Sequence, residues 1–431
     1  MADVKPFRAV RYTGRGTLLD DVVSPPYDVL GPVDADELRR RSPYNSVHLD
    51  LPLPFADGSD GHYAATAERL RAWLAEGVLA RDEEPSLYVL DQTFRGPDGW
   101  ERTRRGFIAA VGLEDFAAGV ILPHEKTHSG PRSDRLKLLR ATRADLSPIM
   151  MLYPDPSDEV GAALAAAQPP PAQLAVLRDR DGSQHRLSRV AGEATTAVGR
   201  LLAGRRLLIA DGHHRYTSAL AFRDKRRRAG DASADHTMAY LCSQDDPGLV
   251  IFPTHRLLKG VAVPPPEEVL ARLSPTFAVY REQEHGAEAC TLMLGHVHTL
   301  SDAAKVFGLY FPREQACVTL ELTDPAAFTR LVSEGLSPDS ARLSTTLLHY
   351  LIFRDVLGMD PNETEGRIDY VTNLGAAMRA LASGDYTLGA FINPTPMAEV
   401  RAVAEAGETM PQKSTYFYPK PLTGLVFNVM E

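Results

Sequence analysis

Leu208-Ile209-Ala210-Asp211-Gly212-His213-His214-Arg215-Tyr216 runs a short apolar strand into a glycine turn and then releases two imidazoles and a guanidinium together. Leu207 to Ala210 read as a buried strand bounded by a turn signal. Asp211-Gly212 supplies the turn, because glycine tolerates positive φ and lets a ligand approach the backbone closely. Thr217-Ser218-Ala219-Leu220-Ala221-Phe222 then predicts a helix that ends in the basic run Lys225-Arg226-Arg227-Arg228 and Gly230. His213, His214 and Arg215 are thereby expected at or near a helix N-terminus, where unpaired N–H groups and the helix dipole favour an anion. A strand-turn-helix corner whose histidines only pack or cap is the plainer alternative. Four ionisable groups in five residues, each costly to bury alone, favour a phosphate site. Asp211, Gly212, His213, His214 and Arg215 are the first phosphate- or nucleotide-binding candidates, with Arg215 suited to gripping two oxygens at once.

Length and composition set outer limits. A chain of 431 residues, 44% of them hydrophobic, exceeds what one compact domain usually holds and predicts at least two lobes. No apolar run approaches the roughly 20 residues needed to cross a bilayer, and Met1-Ala2-Asp3-Val4-Lys5-Pro6 lacks a signal-peptide core, so a cytoplasmic address is expected. Cys242, Cys290 and Cys317 stand singly, without the spacing of a zinc site or a disulfide framework. The net charge of −9 and the lack of a helix-turn-helix signature weigh against a nucleic-acid partner.

Three further segments carry chemistry. His124-Glu125-Lys126-Thr127-His128-Ser129-Gly130-Pro131-Arg132-Ser133-Asp134-Arg135 is dense in ionisable residues and follows the apolar strand Gly119-Val120-Ile121-Leu122-Pro123. Glu125 is read as a general base or metal ligand, Arg132 and Arg135 as phosphate clamps, and Thr127 as a substrate contact. A solvated loop capped by Asp134 is the alternative. In Ser24-Pro25-Pro26-Tyr27-Asp28 two prolines fix the backbone, so Tyr27 and Asp28 are held with little freedom; Asp28 is a second candidate for the proton-accepting role, and Tyr27 for substrate contact. Lys413 and Ser414, in a proline-bracketed segment before the apolar run Leu422 to Phe427, are read as phosphate or carboxylate ligands. His255 and Arg256 end the apolar strand Leu249-Val250-Ile251-Phe252 and are expected to add a substrate contact beside His213, which is itself a catalytic candidate.

These blocks carry a resemblance. The strand-Asp-Gly-His-His-Arg-helix unit resembles the nucleotide-binding element of the ParB and sulfiredoxin superfamily, which includes the free serine kinases. Ser24 to Val29, Pro123 to Thr127 with Asp134-Arg135, and Met410 to Lys420 make the whole chain resemble the bacterial family named domain of unknown function 1015. The resemblance implies a mixed α/β fold with a ParB/sulfiredoxin-like nucleotide-binding core and an additional α/β subdomain. It also implies ATP or another nucleotide with Mg²⁺ as cofactor, and serine as a possible substrate.

The expected organisation is an α/β core over residues 1–260, a small α/β subdomain over 261–330 introduced by Val263-Pro264-Pro265-Pro266, and C-terminal helices with a closing strand over 331–431 that pack back on the core. Within it, a strand is expected across Tyr44 to Asp50, a helix across His62 to Ala80, paired strands across Ser86–Phe94 and Arg104–Val111, and a strongly apolar helix across Ser344 to Leu357. Three functions stay open: a nucleotide-dependent phosphotransferase acting on a small hydroxylated metabolite, a phosphatase or phosphoester hydrolase using the same cluster with water, and a nucleotide-gated binding protein of ParB type.

Overall fold

The computed structural model describes residues 1–125, 127, 129–283, 286–300, 304–361 and 366–430. Lys126 and His128, at the centre of the basic segment singled out above, lie outside the described residues. The fold is mixed α/β, and it divides into two compact units: Met1–Val250 with Pro419–Glu431, and Ile251–Tyr418.

The first unit is built on a nine-stranded sheet. Its order is Ile121–Leu122, Leu207–Asp211, Ile149–Tyr153, His236–Ser243, Glu101–Gly112, Leu87–Arg95, Gln184–Val190 and Ala172–Arg178, with Val4–Lys5 paired on Glu101–Gly112. Leu87–Arg95 and Glu101–Gly112 form the expected antiparallel hairpin, closed through the turn that holds Gly96 to Gly99. Gly106 on that hairpin has no room for a side chain, since a Cβ there would sit 2.5 Å from both the Leu241 carbonyl and the Tyr240 ring. One face of the sheet buries Phe107, Ile149, Met151, Leu207 and Ile209 against Val160, Val198, Leu202, Tyr216 and Phe222 from the flanking helices. Ile121–Leu122 runs parallel to Leu207–Leu208, in register Ile121 with Leu207 and Leu122 with Leu208. Parallel neighbours bring their carboxyl ends to one edge, so His124 and Asp211 are delivered to the same place.

Several local expectations are corrected. Tyr44 to Asp50 is no strand: the Asn45 Oδ1 accepts the Val47 amide at 2.9 Å in an Asx turn, and Val47–Asp50 closes as a short helix. The helix expected over His62 to Ala80 spans Gly61–Ala75 and stops before Gly77, whose φ is 72°. The helix expected from Thr217 begins four residues earlier, at His213. The closing strand across Leu422 to Phe427 is reduced to isolated bridges, Ser24 with Thr423 and Val10 with Phe427, before Asn428–Val429 pairs with Ala144–Asp145.

The second unit has a six-stranded antiparallel sheet in the order Phe277–Arg281, Ala316–Leu322, Val306–Phe311, Leu388–Ile392, His255–Leu258 and Ile368–Val371. Strands from 255–322 and from 368–392 therefore share one sheet, so the division between 261–330 and 331–431 does not follow the architecture. Apolar clusters cover both faces. Leu258, Phe277, Phe307, Leu347, Leu351 and Ile352 pack on one, and Leu257, Met293, Val297, Leu381 and Phe391 on the other. The apolar helix expected over Ser344 to Leu357 is α-helical only at Ser344–Leu347 and continues as a π-helix through Leu348–Arg354.

Candidate functional site

Gly212 adopts φ 92° at the end of the Leu207–Asp211 strand, a left-handed turn open to glycine, and the sixteen-residue helix His213–Arg228 begins at the next residue. His213, His214 and Arg215 thus form the first turn of the helix itself. The Tyr216 amide returns to the Gly212 carbonyl, which closes that turn. The amides of the first turn have no intrahelical acceptor and, with the dipole, form an anion-attracting end.

Two imidazoles at that end, His124 and His213, are buried, bonded and neutral. The His124 Nδ1 donates to the Ile209 carbonyl at 2.7 Å, the His124 amide donates to the His213 Nε2 at 3.2 Å, and the rings meet edge to face at 4.6 Å. Burial pulls the His124 pKa down to about 4, against the Ile209 carbonyl and the charge of Asp211. Burial, followed by its neighbours His124, His214, Lys420 and Arg215, holds His213 well below the ordinary histidine value. Because the unfolded chain takes up protons at these histidines first, the stability due to a neutral His124 is complete above pH 6.5 and is lost as pH falls toward 4. Denaturant unfolding should show stability declining between pH 6.5 and pH 4, less steeply in His124→Gln than in the parent; equal slopes would remove His124 from the linkage.

Arg215 is engaged with the fold. Its guanidinium donates to Asp211 Oδ2 at 2.6 Å, to the Pro148 carbonyl at 2.5 Å and to the Ser147 hydroxyl at 3.3 Å. Asp211 Oδ1 meets the Lys420 ammonium at 2.5 Å, and the same ammonium lies 2.7 Å from Asp28 Oδ2. The antiparallel bridge of Ser24 with Thr423 explains this. Stepping forward from Ser24 to Asp28 and backward from Thr423 to Lys420 moves in the same direction. Proline pairs flank both segments and restrict them.

A second set of charges joins the first through Ser147. Arg135 donates to Asp50 at its carbonyl (2.6 Å) and its Oδ1 (3.2 Å), and pairs with Asp134 at 2.6 Å. Ser147 and Thr423 both donate to the Asp50 carboxylate, and the Tyr63 hydroxyl donates to Asp134 at 2.6 Å. The Tyr27 ring lies 4.0 Å from the Arg135 guanidinium carbon, and burial pushes its phenol up to about 12 against the pull of Arg135. A continuous bonded chain therefore runs from Asp28 through Lys420, Asp211, Arg215, Ser147, Asp50 and Arg135 to Asp134. Behind it lies a cavity of about 40 Å³, lined in part by Asp50, Arg135, Ser147 and Arg215, room for a water molecule or two and not for a nucleotide.

The remaining candidates distribute as follows. Glu125 is half-buried and directly follows His124 at the sheet edge, Thr127 is half-buried, and Arg132 is exposed with its carbonyl accepting from Ser218 at 2.9 Å. Lys413, Ser414, His255 and Arg256 belong to the second unit and gather there. Lys420, Asp50 and Ser147 are the members to which sequence reading gave no role. For Lys420 the signal was present, since Pro419 and Pro421 bracket it. Among the described residues no three or more His, Cys, Asp or Glu side chains are arranged to hold a metal ion, and no helix is long and apolar enough to cross a membrane.

The family model described as "Protein of unknown function (DUF1015)" matches residues 4–341. Comparison with curated proteins gives no match. Among solved structures, a free serine kinase in complex with AMP is similar at 13% identity and TM-score 0.33, over 72% of this chain and 86% of that one. A conserved hypothetical protein from Pyrococcus furiosus is similar at 12% identity and TM-score 0.33, over 73% and 92%. SbnI with C-terminal truncation from Staphylococcus aureus is similar at 11% identity and TM-score 0.33, over 75% and 87%.

Proposed function

This chain belongs to the DUF1015 family of proteins of unknown function, and from that premise and the site's geometry we propose that it is a nucleotide-dependent phosphotransferase acting on a small hydroxylated metabolite, serine being the first to try. The observation that carries the proposal is the Lys420 ammonium, held between Asp28 and Asp211 at the N-terminal end of the His213 helix. Phosphoryl transfer asks mainly for positioning and charge neutralisation, with one carboxylate placed to take the hydroxyl proton. The first-turn amides and Lys420 supply the anion-binding part. When Lys420 turns to a phosphate oxygen, its ion pair with Asp28 opens and that carboxylate becomes the general base, with Glu125 as the neighbouring alternative.

Arg215 and Arg135 have a different role in this reading. Both guanidinium groups are held by carboxylates and carbonyls, so they keep the strand end and the Tyr27–Asp28 turn in place. The His124–His213 pair, neutral and mutually bonded, fixes the approach to the helix end. A protein-only Mg²⁺ cage is not formed by the described residues. The ion fits this site only as a partner of nucleotide phosphates, with one carboxylate such as Asp28 or Asp211 added, which is how Mg²⁺ is commonly held. Bound in that way it would neutralise phosphate charge.

Phosphorus NMR on the purified chain with serine, Mg²⁺ and each of ATP, ADP, CTP and pyrophosphate, run also in reverse from phosphoserine, tests the proposal. Appearance of a phosphomonoester dependent on the nucleotide is the expected result. Phosphate release from phosphoserine without nucleotide would move the assignment to a phosphatase, and tight nucleotide binding without turnover to a nucleotide-gated binding protein.

A further inference from the structure

The second unit buries a guanidinium that no carboxylate neutralises among the described residues. Arg256, on the His255–Leu258 strand, is fully buried. One terminal nitrogen donates to the Thr254 carbonyl and, at 3.0 Å, to the Thr254 hydroxyl; the other donates to the Lys413 carbonyl at 3.2 Å. The Tyr370 ring, from the neighbouring strand, lies 5.4 Å from the guanidinium carbon. Carbonyls and a ring face stabilise the cation but carry no opposite charge, and a buried charge without a counter-charge is costly. The Arg256 Nε, also buried, has no hydrogen-bond partner among the described residues. Burial, opposed by Tyr370, lowers the pKa of this group to about 10, which still leaves it charged at neutral pH.

A second buried donor stands beside it. His349 is 3% exposed, and its Nε2 likewise has no hydrogen-bond partner among the described residues. It sits in the π-helix Leu348–Arg354, a widened geometry that recurs at functional sites. Burial, and then the charge of Arg256, pull its pKa down to about 3, so the imidazole is neutral. Bonds close the arrangement around these two groups. The Ser414 hydroxyl donates to the Thr345 hydroxyl at 3.0 Å, one helical turn before His349, and Ser414 follows the Lys413 whose carbonyl accepts from Arg256. Lys413 holds φ at 53°, a left-handed conformation unfavourable for a non-glycine residue. That turn aims its carbonyl at both Arg256 and the Thr254 hydroxyl, the latter at 2.5 Å.

We infer that Arg256 and His349 form a binding site for a compact monoanion within the second unit, separate from the phosphate-handling residues of the first. The Arg256 Nε–H supplies a charged donor, and the neutral imidazole, in the tautomer with its proton on Nε2, a second N–H. A site whose net charge is +1 is balanced by one negative charge, which selects a halide or a small monocarboxylate over a phosphate dianion. The anion completes the neutralisation of Arg256 and thereby ties the Lys413–Ser414 turn, the His255–Leu258 strand and the π-helix together.

The test uses the full chain at constant ionic strength, with sodium gluconate replaced stepwise by sodium chloride or by sodium formate. Thermal unfolding should shift upward and saturate; at ten times Kd the folding equilibrium constant gains roughly 11-fold, as expected for a ligand that binds only the folded state. The chloride and formate arms separate a halide from a carboxylate. Arg256→Met and His349→Phe should each abolish the anion-specific shift. Should either variant fail to fold, crystals of the parent grown in sodium bromide supply the second measurement. A bromide anomalous peak within contact distance of Arg256 Nε and His349 Nε2 is the expected result. An unchanged anion response in both variants, or no bromide at those two nitrogens, would overturn the inference.

Discussion

Asp28→Asn should lower the rate of phosphoryl transfer by roughly 10²- to 10⁴-fold, the usual worth of a general base, while nucleotide affinity stays near that of the parent. The substitution keeps the size and planarity of the side chain and still offers Lys420 an acceptor oxygen where the carboxylate now stands at 2.7 Å. What it removes is the capacity to take a proton. Single-turnover kinetics with saturating nucleotide separates this loss from a binding defect. Full activity in Asp28→Asn with loss in Glu125→Gln would transfer the role to Glu125, which follows the locked His124 at the same sheet edge.

Arg215→Met should destabilise the first unit by about 3–5 kcal/mol, the range for breaking a buried ion pair by removing one partner. The guanidinium bonds Asp211 at 2.6 Å and the Pro148 carbonyl at 2.5 Å, and its side chain is 11% exposed. Its loss leaves a buried carbonyl without its donor and Asp211 with Lys420 as its remaining cation, which points to the lower end of that range. Urea unfolding monitored by circular dichroism gives the number. An unchanged midpoint with nucleotide binding abolished would mean that Arg215 faces the ligand directly, the role its sequence context first suggested.

Those two predictions mark where the sequence was legible. The strand-glycine-helix unit was readable because three signals coincide there: an apolar run, a glycine suited to positive φ, and charges appearing together at Asp211 to Arg215. The hairpin of Leu87–Arg95 and Glu101–Gly112 was readable for the same kind of reason, two apolar runs around Gly96-Pro97-Asp98-Gly99. Short segments decided by one side chain were not. Tyr44 to Asp50 alternates as a strand would, and the Asn45 side chain overrides that pattern. Periodicity likewise cannot separate an α-turn from the π-helix at Leu348–Arg354, since both present a broad apolar face.

At the site, sequence reading named the ionisable residues but not their pairings. Arg215 and Arg135 look alike from either side as phosphate ligands, and only three-dimensional placement shows carboxylates already holding them. Lys420 escaped because its partners, Asp28 and Asp211, are hundreds of residues away along the chain. His255 and Arg256, expected beside His213 because they end an apolar strand, and Lys413 and Ser414, read as phosphate or carboxylate ligands, all belong to the second unit.

The return of Pro419–Glu431 to the first unit has a consequence for how the protein is made. The 168 residues from Ile251 to Tyr418 separate the two parts of that unit, so a ribosome working at about 5–20 residues per second delivers Lys420 roughly 8 to 34 seconds after Val250. During that interval Asp28 and Asp211 face each other without their shared cation, and the backbone of Ser24 and Val10 lacks its Thr423 and Phe427 partners. Until then the first unit is an unfinished sheet whose Asp28 and Asp211 lack the Lys420 that joins them. A nascent chain arrested before Pro419 should be more sensitive to protease than one extended through Glu431, and docking of Lys420 is the event that clasps Asp28 to Asp211.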